Sequence, residues 1–84
     1  MLVKAHYVGT FLNGEKFDSS RDRGQPYQFV VGYGMVIDCW DLGFVQLHVG
    51  DKATLNCPAY TAYGERGTNT IPGGETLQFD VEVF

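Results

Sequence analysis

The chain has little of what would assign it a chemistry at a glance. Only two cysteines and two histidines occur among its 84 residues, and no pair of them stands at the short spacing of a metal-ligand motif, so no metal site is expected. Cys39 and Cys57 are too few for a disulfide framework. They fall in segments that read as helix and strand, so both are expected to be buried or half-buried free thiols, which fits a reducing compartment, the cytoplasm. Cations are scarce too: six Lys and Arg against ten Asp and Glu give a net charge of −4. Nucleic-acid binders gather cations on one face, so a phosphate backbone is set aside as a partner.

Long hydrophobic runs are also missing. The longest nearly apolar stretch, Phe29 to Ile37, is nine residues with two glycines in it, far short of a membrane-spanning helix. The opening residues carry Lys4 and His6 and do not resemble a secretion signal. The expectation is an unprocessed soluble chain with no membrane partner. No repeat, low-complexity tract or linker divides it, so one domain, residues 1–84, is expected. A domain of this size buries only about 60–65% of the surface of its unfolded chain, so its stability should be modest.

What is present is alternation. Lys52 to Cys57 and Thr76 to Val83 place an apolar group at every second residue, the pattern of a strand with one buried face. Val3 to Tyr7 alternates as well, and Asn13-Gly14 offers a two-residue turn that tolerates positive φ, so residues 2–12 and 15–18 should form a hairpin. A polar loop from Ser19 to Pro26 follows, and alternation resumes at Tyr27, Phe29 and Val31: one strand interrupted by a loop. Aromatic residues make up 14% of the chain and glycines number eleven, which suits strands and turns around bulky core groups.

One stretch changes period. Val36, Trp40, Phe44 and Leu47 recur at spacings of three and four, with Ile37 and Val45 beside them, and predict an amphipathic helix of two or three turns. Gly43 inside it lowers helix propensity by about 1 kcal/mol relative to alanine. Gly64 to Gly74, with four glycines and a proline, must be loop. The fold class is α+β, an antiparallel sheet of some four strands wrapped around one short helix.

The strings Tyr7-Val8-Gly9-Thr10, Gly14 to Arg23 with its Phe17-Asp18-Ser19-Ser20-Arg21-Asp22-Arg23 block, Pro26, Val36 to Gly43, Ala62 to Gly67, Ile71-Pro72 and Leu77 to Glu82 together resemble the FKBP family in order and spacing, over the whole chain. The resemblance implies a peptidyl-prolyl cis–trans isomerase acting on proline-containing peptides and proteins, without a cofactor, whose pocket also accepts macrolides such as tacrolimus and rapamycin. It places Asp18, Ile37, Trp40, Tyr63 and Phe79 at the centre of that pocket, and Tyr7, Phe17, Arg23, Tyr27, Met35, Val36, Ala62 and Ile71 around it. Trp40 would form the floor, the Ile37 N–H and the Tyr63 hydroxyl would bind ligand carbonyls, and Arg23 would brace Asp18. On residue type alone, Tyr7, Trp40 and Phe79 would read as ordinary core aromatics, and Asp18–Arg23 as a structural ion pair.

The sequence also departs from that family. Met35 stands where a polar or acidic residue is common, Leu42 replaces a commonly polar residue, and the loop from Tyr63-Gly64 to Ile71-Pro72 is short, followed by Gly73-Gly74. A shorter, glycine-rich loop is expected to be mobile and to alter which residues beside proline are preferred. Family domains typically carry one more strand ahead of Tyr7-Val8-Gly9, so the chain is expected to lack the first strand, leaving a sheet edge open to a partner chain or to self-association. Two functional readings follow, an isomerase or a non-catalytic FKBP-like binding module within a larger assembly.

Overall fold

The computed structural model describes residues 2–68 and 70–84. Position 1, named above as the opening of the chain, and position 69, inside the expected loop, lie outside the described residues. The elements in chain order are β1 (Leu2–Phe11), β2 (Lys16–Ser19), α1 (Ser20–Arg23), β3 (Tyr27–Val30), α2 (Asp38–Phe44), β4 (Lys52–Cys57), a 3-10 turn over Ala59–Thr61, and β5 (Leu77–Val83). They make a five-stranded antiparallel sheet in the order β2-β1-β5-β4, with β3 also paired to β1.

Strand alternation does what the sequence requires of it. Along β1, Val3, Ala5 and Tyr7 turn inward, and along β5 so do Leu77, Phe79, Val81 and Val83, all of them buried. The register joins the two halves of the inner face, with Tyr7 opposite Val81 and Gly9 opposite Phe79. β2 meets β1 at Val8–Thr10 and β3 meets it at Leu2–Ala5, so the interrupted strand lies along one flank of β1. The segment between them is not all loop: Ser19 caps α1 by accepting from the Asp22 N–H at 3.3 Å, and Gly24 closes it at φ 72°. The Asn13-Gly14 hairpin is wider than a two-residue turn, since the strands stop at Phe11 and resume at Lys16.

Helix α2 lies against the inner face and buries Trp40 and Phe44 among Phe29, Leu77 and Phe79. It starts at Asp38 rather than at Val36, because Ile37 is extended at φ −60° and ψ 153°. The approach is close, since a Cβ on Gly43 would stand 2.9 Å from the Leu55 side chain. That contact accounts for a glycine inside a short helix.

The free-thiol expectation is overturned: Cys39 and Cys57 form a disulfide, with their Cα atoms 5.5 Å apart. Their distance in sequence hid the pairing, and α2 crossing β4 brings them together. With the bond, the argument from free thiols to a reducing compartment falls away. β4 pairs on one side with β5 and, among the described residues, with no strand on the other.

Candidate active site

An open cavity of about 710 Å³ lies between the sheet and the chain segments that cross it. Its floor is the Trp40 indole, 4% exposed. Three rings stand edge-on to that indole: Tyr7 with centroids 5.0 Å apart, Phe79 at 5.3 Å and Tyr27 at 6.2 Å. Such crossings are the favoured packing of aromatic quadrupoles. Phe17 and Phe79 pack edge to face at 5.6 Å beside Gly9, where a Cβ would stand 2.6 Å from the Phe17 ring and 2.9 Å from the Phe79 ring. Gly9 therefore sets how closely the two rings approach the strand.

The polar side of the cavity is a closed network. The Tyr7 hydroxyl donates to Asp18 Oδ2 at 2.5 Å, Arg23 donates to Asp18 Oδ1 at 2.5 Å and to the Tyr7 oxygen at 2.8 Å, and the Ser19 N–H donates to Asp18 Oδ1 at 2.8 Å. Burial acts to raise the Asp18 pKa, but the hydrogen bonds from Tyr7 and Arg23, the Arg23 charge and the Ser19 N–H outweigh it and hold the carboxyl below its usual value. Burial, then the hydrogen bond to Asp18, pushes the Tyr7 phenol up. Asp18 is thus an anion already engaged by three donors, two on Oδ1 and one on Oδ2.

The opposite side is less engaged. Tyr63 is 39% exposed, and among the described residues its hydroxyl has no hydrogen-bond partner, nor has the N–H of Ile37. Burial, reinforced by the charge on Asp18, raises the Tyr63 pKa, so the phenol stays a donor. The loop beyond Tyr63 is closed on itself by three backbone bonds: Gly67 N–H to the Tyr63 carbonyl at 3.0 Å, Thr68 N–H to the Ile71 carbonyl at 2.8 Å and Gly74 N–H to the Gly64 carbonyl at 2.9 Å. The Thr68 hydroxyl accepts from the Ile71 N–H at 3.2 Å, and Ile71 seals the cavity wall at 5% exposure.

With this geometry in hand, the comparison with known proteins is decisive: the family model described as FKBP-type peptidyl-prolyl cis-trans isomerase matches residues 1–84. The chain belongs to this FKBP family. It is 54% identical over 84 residues to "FK506-binding protein 1" of Debaryomyces hansenii, covering 99% of this chain and 75% of that protein. It is 52% identical over 83 residues to "Peptidyl-prolyl cis-trans isomerase Fkbp12" of Drosophila melanogaster, covering 98% of this chain and 77% of that one. Among solved structures, AtFKBP13 superposes with a TM-score of 0.91 at 42% identity, over 98% of this chain and 75% of that chain.

Most of the residues that the FKBP resemblance singles out come together at this cavity. Asp18, Ile37, Trp40, Tyr63, Phe79, Tyr7, Phe17, Tyr27, Met35, Val36 and Ile71 all line it. Arg23 does not line it and acts on it through Asp18 and Tyr7. Ala62 is a correction: it packs half-buried against the core behind the wall, because the backbone leaves the 3-10 turn there and aims the next side chain, Tyr63, at the cavity instead. Thr68 and Thr70 line the cavity and were missed. Threonines in a glycine-rich loop give no periodic signal; their spacing ahead of Ile71 was the only clue.

Proposed function

We propose that this FKBP-family chain accelerates cis–trans rotation about Xaa-Pro bonds, with the prolyl ring seated on Trp40. The observation that carries the reading is an aromatic cavity with a buried indole floor, at whose edge the Tyr63 hydroxyl and the Ile37 N–H are among the donors left without a partner among the described residues. Amide resonance sets a barrier of about 18–20 kcal/mol to rotation, and uncatalysed Xaa-Pro isomerisation takes tens to hundreds of seconds. Rotation breaks the conjugation and reduces charge separation across the amide. An apolar cavity therefore disfavours the planar dipolar ground state more than the twisted transition state, and only such a difference accelerates the step.

In this reading Tyr63 and Ile37 hold the carbonyls flanking the prolyl ring while Phe17, Tyr27 and Phe79 surround the ring itself. Asp18 serves the site as a fixed charge held by Arg23, Tyr7 and the Ser19 N–H, and no covalent intermediate is needed. Each 1.36 kcal/mol of differential stabilisation gives about tenfold in rate, within reach of a few aromatic contacts and two hydrogen bonds. Met35 and Val36 at the rim give the residue before proline an apolar surface, so leucine or phenylalanine there should be preferred over a charged residue. The same floor should take macrolides of the FK506 type, which relatives are named for binding.

A protease-coupled assay on peptides differing in the residue before proline tests this. The expected result is acceleration, largest with an apolar residue, together with a change in Trp40 emission on adding FK506. A folded chain that leaves the peptide at its uncatalysed rate would instead favour a non-catalytic binding module.

A further inference from the structure

The Cys39–Cys57 bond takes no part in the chemistry above, yet it joins the segment that carries the cavity floor to the one that carries the Tyr63 wall. Cys39 lies in the first turn of α2, next to Trp40. Cys57 ends β4 and leads directly into the 3-10 turn before Tyr63. That turn is stiff: the Pro58 carbonyl accepts from the Thr61 N–H and hydroxyl, each at 2.8 Å, and the Ala59 carbonyl accepts from Ala62 at 3.0 Å and Gly64 at 2.8 Å. Six residues carry the chain from Cys57 to Tyr63, and these bonds hold the turn between them.

Helix α2 is the weaker party. It has seven residues, no side-chain N-cap and a glycine inside, and a helix so short holds its place only through tertiary contacts. The Asp41 carboxylate, which accepts from Gly32 N–H at 3.0 Å and Gly34 N–H at 3.2 Å, ties it to the preceding turn. The disulfide is its one covalent tie to the Tyr63 side.

We infer that the Cys39–Cys57 disulfide is a positioning clamp that holds the Trp40 floor against the Tyr63 wall, and that a dithiol reductant loosens the pocket by breaking it. This rests on the isomerase reading and deepens it. The two sulfurs differ in access, since Cys57 is fully buried while Cys39 is half-buried. A reductant thiolate therefore attacks Cys39 Sγ, the Cys39–Cys57 bond breaks, and Cys57 Sγ leaves as a thiolate that takes up a proton, because burial disfavours its charge. The second thiol of the reductant then displaces Cys39, which takes a proton in turn. The reductant ends as its own disulfide and the protein as two thiols, a two-electron exchange.

The test compares the purified chain as the disulfide and after dithiothreitol, with thiols counted by maleimide labelling and mass spectrometry. Activity is read well below the melting transition of both forms, with circular dichroism checking the fold. The disulfide form should be the active one. Reduction should lower kcat/KM about tenfold, mainly through KM, since displacements near 1 Å at a site can cost up to about a hundredfold. Trp40 emission should rise as the neighbouring disulfide, a quencher, is lost, and reoxidation should reverse both effects. Cys39→Ser should behave as the reduced form and ignore dithiothreitol. A reduced chain that melts earlier but keeps the same kcat and KM while folded would make the bond a plain cross-link and overturn the clamp. A folded disulfide form with no isomerase activity would remove the isomerase reading, and the clamp with it.

Discussion

The two walls of the cavity are built by opposite means. The Asp18 wall is made chiefly of side chains, with those of Tyr7 and Arg23 and the Ser19 backbone N–H converging on one carboxylate. The Tyr63–Ile71 wall presents its side chains from a loop whose backbone segments approach so closely that none would fit at Gly67 or Gly73. Gly67, at φ 69°, leaves no room for a Cβ, which would overlap the Ile71 carbonyl and stand 2.7 Å from the Gly73 nitrogen. A Cβ on Gly73 would overlap the Glu65 carbonyl. One wall is thus held by a charged network, the other by close backbone approach, and each should fail under a different perturbation.

The largest expected effect is on the backbone wall. Gly67→Ala puts a methyl group against backbone that cannot move aside and adds the strain of positive φ, so a loss of about 2–3 kcal/mol is expected, with a large fall in kcat/KM. Gly64→Ala is the control: its φ of 63° is equally left-handed, but nothing lies within 4 Å of the added atom, so only the conformational cost of about 1 kcal/mol remains. Urea unfolding of both variants separates overlap from strain. Equal losses would mean that the close approach is not what shapes the loop.

Next comes the polar wall. Asp18→Asn keeps the shape and removes the charge that Arg23 and Tyr7 address. The Asp18 and Arg23 side chains are 40% and 53% exposed, so solvent screens the pair and a stability loss of only about 1 kcal/mol is expected. The activity effect should be larger than the stability effect, and steady-state kinetics beside a thermal melt would show it. An Asp18→Asn chain with full kcat/KM would reduce the network to scaffolding.

Protonation reaches both walls. The Asp18 pKa is lower folded than unfolded, so its contribution to stability is present above the unfolded value, near 3.8, and is lost as pH falls through the folded value. Tyr7 and Tyr63 are raised above 10.0, so they stabilise the fold below that pH and the gain disappears as pH rises through their folded values. Melting temperature against pH should therefore fall at both ends, and Asp18→Asn should flatten the acid limb and shift the alkaline one as well, since Asp18 is one cause of the raised Tyr7 and Tyr63 values. The smallest effect is Thr68→Val, which removes one acceptor from the Ile71 turn and should cost about 1 kcal/mol or less, read as a small rise in KM that Thr68→Ser does not show.

The same contrast governs what the sequence made legible. The Phe17 to Arg23 block, Trp40 and Phe79 were readable because their roles depend on side-chain type at fixed spacing, and the strands of Lys52–Cys57 and Leu77–Val83 because a half-buried sheet imposes a period of two. The start of α2 lies two residues later than the apolar pattern implies, because Val36 and Ile37 continue that pattern while lining the cavity outside the helix, with Ile37 extended. Helix α1 was hidden by its wholly polar sequence, although Ser19 and Gly24 are the usual residues for its two ends. The disulfide depends on how α2 crosses β4, and local pattern carries no trace of that crossing; the Thr68 turn and the Gly67–Gly73 approach lie within one loop that has no periodic pattern to read.

The most direct test of the account is exchange NMR on a short peptide with leucine before proline, recorded with and without a small molar fraction of the disulfide-bonded chain. The account predicts that cis and trans resonances exchange far faster than the uncatalysed tens to hundreds of seconds, with their ratio unchanged, and that Trp40→Ala abolishes the acceleration. Exchange at the uncatalysed rate, in a sample whose chain is folded and disulfide-bonded, would contradict it.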